Sequence, residues 1–115
     1  MRPSDYESFI QTEALLSLQR DVLCARHADM MSFIVVHQST ELWLKLAAFE
    51  MQRGMSLLKS DGCIAAAKIL RNLSSYIDTA TSHLSVLDRI PPVDYHAMRY
   101  ALGNGSGFSS PGWKI

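Results

Sequence analysis

At 115 residues the chain is long enough for one domain and too short for two separate cores. Its 48% hydrophobic content fits a folded protein, and 11 Lys and Arg balance 11 Asp and Glu. Zero net charge without a basic run excludes the electrostatic footprint of a nucleic-acid or anionic-membrane binder, and the apolar runs are too short to span a bilayer.

The N-terminus, Met1-Arg2-Pro3-Ser4-Asp5, lacks the apolar core of a secretory signal. Cys24 and Cys63 form neither a Cys-x-x-Cys pair nor a disulfide framework, so a reducing, cytoplasmic compartment is expected.

In chain order, Ser4-Asp5-Tyr6-Glu7 reads as a capping box: serine at the N-cap and glutamate three residues on. It opens a helix expected over 5–23, carrying Tyr6, Phe9, Ile10, Leu15, Leu16 and Leu18. A short connection leads to a second helix over 28–59, about 45 Å long at 1.5 Å per residue, with Gly54 a weak point inside it rather than an end. Ser60-Asp61-Gly62 is the turn, and Ser60 or Asp61 is expected to cap the third helix. That helix, 63–88, shows Ile64, Ala67, Leu70, Leu73, Ile77, Leu84 and Leu87 at three- and four-residue spacing. Pro91-Pro92 ends it and starts a fourth over 92–102, with Tyr95, Met98, Arg99 and Leu102 on one side. The glycine-rich run 103–112 cannot be regular structure. No strand pattern or repeat appears. The expectation is an all-α chain forming a single helical domain over 1–115.

The chemistry concentrates between Phe33 and Lys45. This stretch is apolar nearly all round, which predicts a central helix, yet it holds His37, Gln38 and Glu41. Polar groups in such a place need partners or a ligand. Phe33, His37 and Glu41 share one stripe, so a pocket is expected beside Phe33 and His37. Two readings of His37 stand side by side. It is a core residue with one backbone partner, or an imidazole that hydrogen-bonds a ligand in a dry pocket. Gln38 and Glu41 are expected to hold the helix to its neighbours, and Phe9, Phe33 and Trp43 to be core. His27, His83 and His96 lack carboxylate or cysteine neighbours at ligand spacing, which argues against an all-protein zinc site.

Tyr95 and Arg99 stand one turn apart on the fourth helix. They are either a surface stack or a guanidinium held to clasp a carboxylate through two parallel hydrogen bonds. The glycine run lacks the lysine and following helix of a nucleotide-phosphate loop, while Phe108 inside it argues that something anchors it.

Three blocks taken together resemble the N-terminal part of the tryptophan 2,3-dioxygenase family, heme enzymes that open the indole ring. Tyr6-Glu7-Ser8-Phe9-Ile10 with Leu15-Leu16-Ser17-Leu18-Gln19 resembles its Tyr-x-x-Tyr-Leu helix and Leu-Leu-x-x-Gln continuation. Phe33-Ile34-Val35-Val36-His37-Gln38 with Glu41-Leu42-Trp43 is similar to its Phe-Ile-x-x-His-Gln-x-x-Glu-Leu-Trp signature. Ser85-Val86-Leu87, Tyr95, Arg99 and Gly103-Asn104-Gly105-Ser106-Gly107-Phe108 resemble its Tyr-x-x-Phe-Arg helix and Ser-Gly-Phe loop. The match runs from about Tyr6 to Ser110 in the family's order.

The resemblance implies a long-helix bundle, incomplete in this chain, and a reaction adding both atoms of O2 across the indole C2–C3 bond of L-tryptophan to give N-formylkynurenine. It implies heme b as cofactor and O2 as co-substrate. His37 is implied as the distal histidine, accepting a hydrogen bond from the indole N–H, and Phe33 as packing on the ring and the heme face. Arg99, assisted by Tyr95, is implied to bind the carboxylate, and Ser106 and Gly107 to lie near the heme and its oxygen. Tyr6, Phe9 and Ile10 match residues that close a neighbouring subunit's pocket, implying four chains. The iron's own proximal histidine has no match here, so a further chain or segment is implied to carry it. Met98, Leu84, Asn104-Gly105 and Phe9 depart from the family's pattern around the pocket. Those departures keep in view a heme oxygenase acting on a modified indole or other aromatic, and the unmatched proximal histidine keeps in view a helical interaction fragment without catalysis.

Overall fold

The serine–glutamate box at the start of the chain forms as its sequence demands. Ser4 Oγ accepts from the Glu7 N–H at 3.1 Å, and Glu7 Oε2 accepts from the Ser4 N–H at 2.7 Å. Helix α1 runs Asp5–Ile10 behind this cap. The structure, a computed structural model, describes residues 2–19, 29–91 and 111.

The expected 5–23 helix is broken. Gln11 takes the left-handed conformation (φ 56°), closing α1 and opening α2, Thr12–Leu16. Local side-chain bonds compete with the helical ladder there: Thr12 Oγ1 donates to Glu7 O at 3.5 Å and Ser17 Oγ to Ala14 O at 2.7 Å. Neither α1 nor α2 buries a residue, and Phe9, expected in the core, is 87% exposed.

Helix α3 spans Met30–Lys59 and passes through Gly54 unbroken. A β-carbon at Gly54 would lie 3.4 Å from Ile69 Cγ2, so the glycine sits where α3 meets α4, Cys63–His83. The turn between them is a Schellman closure. The Gly62 N–H donates to Leu57 O at 2.6 Å and the Asp61 N–H to Leu58 O at 3.3 Å, with Asp61 left-handed at φ 60°. Asp61 therefore ends α3; contrary to expectation, Gly62 is the N-cap of α4 and no side chain caps it.

One stripe of α3, Val36, Thr40, Leu44, Ala47, Glu50 and Gly54, is buried with Ala66, Ile69, Leu73 and Ala80 of α4. The small residues let the two axes approach. The seam on α4 is rotated from the expected one: of the repeating apolar positions only Leu73 is buried, whereas Ile64 is 80% exposed. Likewise α3 is covered on one side, leaving Leu42 and Phe49 exposed. The α-helix stops at His83, and Leu84–Arg89 continue as a 3-10 helix. Ile90 then folds back to form a second small core with Met30, against which Phe33, Ile34 and Leu87 pack. All described residues in regular structure are helical, and none of those helices is long and apolar enough to cross a membrane.

Candidate functional site

Phe33 and His37, one helical turn apart on α3, face each other with ring centroids 4.2 Å apart and planes at 31°. Both are half-buried. His37 Nδ1 lies 2.7 Å from Phe33 O. A carbonyl oxygen only accepts, so Nδ1 carries the proton and donates. In the neutral imidazole Nε2 is then the acceptor, and no hydrogen bond engages it among the described residues. The pair is an aromatic wall carrying one directed acceptor.

Several other polar groups of this helix are occupied. Gln38 Oε1 accepts from Gln19 Nε2 at 2.8 Å, and Gln38 Nε2 donates to Leu18 O at 3.0 Å. Gln38 thus ties the segment after α2 to α3, the structural part expected of it. Thr40 Oγ1 donates to Val36 O at 2.7 Å, and buried Glu50 pairs with Arg53 at 2.7 Å. That ion pair raises the Arg53 pKa, chiefly through the hydrogen bond to Glu50. Among the described residues no buried side-chain polar atom lacks a partner.

Sequence spacing could not reveal a second cluster across α3 and α4. Ser39 Oγ is 3.0 Å from His83 Nδ1 and 3.0 Å from Val36 O. Trp43 meets His83 edge-on, centroids 6.5 Å apart, and stacks on Tyr76 at 6.2 Å. Ser39 and His83 are 44 residues apart, so no local pattern links them.

The remaining expected site residues are distributed otherwise. Tyr6, Phe9 and Ile10 are exposed on α1 at 69%, 87% and 40%. A concavity open to solvent runs along this segment, lined by Arg2, Tyr6, Glu7 and Leu16 among others, and does not include Phe33 or His37. Tyr95, Met98, Arg99, Asn104, Gly105, Ser106 and Gly107 lie outside the described residues.

Comparison with known proteins decides the family. The tryptophan 2,3-dioxygenase family model matches residues 2–115. The chain belongs to the tryptophan 2,3-dioxygenase family. It is 41% identical over 105 residues to a tryptophan 2,3-dioxygenase of Arthrobacter sp. (strain FB24), covering 91% of this chain and 37% of that protein. The corresponding enzyme of Rhodococcus jostii (strain RHA1) is 37% identical with the same coverage. That of Burkholderia multivorans (strain ATCC 17616 / 249) is 36% identical, with 91% of this chain matched to 33% of its own length. The chain thus spans little more than a third of the curated relatives it matches. The Phe33–His37 wall offers a half-buried ring to pack against and an acceptor at Nε2.

Proposed function

We propose that this chain supplies the distal wall of the site in a heme-dependent dioxygenase that opens the indole ring of L-tryptophan. The observation that carries this reading is the His37 tautomer: Nδ1–H is committed to Phe33 O, which turns Nε2 into an acceptor for the indole N–H. Phe33, 4.2 Å from the imidazole, packs the substrate ring and the heme face, excludes water and limits how the indole can tilt. Arg99 with Tyr95 holds the substrate carboxylate, and Ser106 and Gly107 lie near the heme and its oxygen. Heme iron, when bound, supplies the activation of O2. The protein's own work is to orient the C2–C3 bond and keep the indole N–H hydrogen-bonded while both oxygen atoms are added.

Family membership and the matched third of its length support a further chain or segment carrying the proximal histidine. They also support a cytoplasmic oligomer in which Tyr6, Phe9 and Ile10, exposed on α1, meet a neighbouring subunit. A second reading keeps the heme and changes the substrate to a modified indole or another aromatic. Leu84 favours it, being half-buried at the start of the 3-10 helix where the family's pattern has a tryptophan. Met98 is a second such departure. The non-catalytic interaction fragment is the remaining alternative, suggested by the short span of the match.

The test compares L-tryptophan with its N1-methyl derivative in the holoprotein and in His37→Ala. Losing one hydrogen bond worth about 0.5–1.5 kcal/mol net lowers tryptophan kcat/KM about 2- to 13-fold, while the N-methyl derivative, with no N–H to donate, is affected less. Equal losses for both substrates would contradict the acceptor role of His37. Faster turnover of another indole than of tryptophan would favour the second reading.

A further inference from the structure

We propose that His83 is a positioning residue for the distal wall, acting through Ser39 on the peptide unit that carries His37. The inference rests on the reading of His37 given above and adds a residue on another helix to it.

The proton inventory decides the direction of each bond. Ser39 Oγ has one proton and two neighbours, Val36 O at 3.0 Å and His83 Nδ1 at 3.0 Å. A carbonyl only accepts, so both contacts are satisfied together in one way. Ser39 donates to Val36 O, and His83 Nδ1–H donates to Ser39 Oγ. The Val36 carbonyl also takes Thr40 Oγ1 at 2.7 Å. That carbonyl belongs to the same planar peptide unit as the His37 N–H. In the helical ladder the His37 N–H points to Phe33 O, the oxygen that receives the His37 ring Nδ1–H at 2.7 Å. A continuous series of hydrogen bonds and one rigid peptide plane therefore runs from His83 to the acceptor-bearing ring of His37.

The far end of the series is itself fixed. His83 closes α4, where the backbone changes from α to 3-10, and its ring meets the Trp43 edge at 72° while Trp43 stacks on Tyr76. Trp43 is on α3 and Tyr76 on α4, so the cluster pins the two helices in register at the level of the site. The 3-10 segment after His83 delivers Ile90 to the core beneath Phe33. One histidine thus joins the end of α4 to the segment of α3 that holds both Phe33 and His37.

The test uses His83→Leu, His83→Asn and Ser39→Ala in the purified full-length protein. Asparagine places an N–H donor close to the position of Nδ1; leucine keeps bulk without a donor. Nitrogen-15 NMR of the His37 ring reads the tautomer without requiring turnover. His83→Leu and Ser39→Ala are expected to shift the His37 ring nitrogens away from the pure Nδ1–H pattern, and His83→Asn to restore it. In the holoprotein the same two variants raise KM for tryptophan about 3- to 10-fold with kcat changed less than 2-fold, and His83→Asn recovers most of that. Unchanged His37 ring shifts in both His83→Leu and Ser39→Ala overturn the proposal, as does an asparagine variant no better than leucine. If His83→Leu fails to fold, Ser39→Ala, a one-atom deletion, decides alone. Shifted ring nitrogens in a protein with no tryptophan turnover would uphold the His83 link while removing the dioxygenase reading.

Discussion

Ile90→Ala strikes the contact that brings the end of the described helices back beneath Phe33. Ile90 is 5% exposed and Met30, its core partner, 3%, with Phe33, Ile34 and Leu87 packed against them. Cutting isoleucine to alanine removes three carbons from a closed site, about 2.4 kcal/mol at about 0.8 kcal/mol per methylene. The cavity left behind extends the range to about 2–5 kcal/mol. Against a total stability of about 5–15 kcal/mol for a domain, this is a large fraction. The loss should also be local. Met30 and Ile90 form a core distinct from the Leu44–Leu73 seam, so amide exchange at residues 30–37 should accelerate more than at 66–73. Urea unfolding followed by circular dichroism measures the total, and hydrogen exchange by mass spectrometry locates it. A loss below about 0.5 kcal/mol, or acceleration spread evenly along α3 and α4, would refute the assignment of Ile90 as the anchor of the Phe33 end.

Three further substitutions test other links. Gly54→Ala should stabilise by about 0.5–1 kcal/mol, since the added methyl lies 3.4 Å from Ile69 Cγ2 in ordinary contact and removes glycine's backbone freedom; thermal unfolding checks the sign. Gln38→Leu removes the bonds to Gln19 and Leu18 and should weaken attachment of residues 12–19 by about 1–2 kcal/mol, read as faster proteolysis within that segment and unchanged protection of α4. Glu7 has its pKa lowered by hydrogen bonds from the Ser4 backbone and then the Ser4 hydroxyl. A depressed carboxylate stabilises fully above its unfolded value of about 4.3 and loses that contribution as pH falls through the folded value. The helicity of α1 should therefore drop on acidification below about pH 4, and Glu7→Gln should abolish that acid step; an acid transition unchanged in the variant would contradict the capping box.

Much of the fold was legible because it rests on local rules. The Ser4–Glu7 box, the Asp61–Gly62 turn and the long α3 follow from capping chemistry, a left-handed turn residue and helical spacing. The break at Gln11 was not legible. Left-handed backbone is usually announced by glycine or asparagine, and glutamine carries no such signal. The passage from α to 3-10 helix at Leu84 is also hidden, because the two geometries share nearly the same dihedral angles. The rotation of the α4 seam has a different cause. Burial is settled by the neighbouring helix, and Ala66 and Ala80 are fully buried although their side chains carry little hydrophobic signal.

The site divides along the same line. Phe33 and His37 share a helix, so their four-residue spacing announced the contact that the structure shows. Gln38 stood out as a polar residue in an apolar stretch, but its partners Leu18 and Gln19 are about twenty residues away. The Ser39–His83 bond is wholly tertiary. His83 carries no local signal in the sequence, because its partner is a serine hydroxyl on another helix.

Isotope incorporation tests whether Phe33 and His37 form the distal wall of an indole-opening site. The chain, together with the segment or partner that carries the proximal histidine, is purified with heme and supplied with L-tryptophan under 18O2. Histidine-ligated heme absorption and N-formylkynurenine carrying two 18O atoms are expected, with kcat/KM reduced in His37→Ala. A purified assembly that binds heme yet forms no such product, or that binds no heme, would contradict that role.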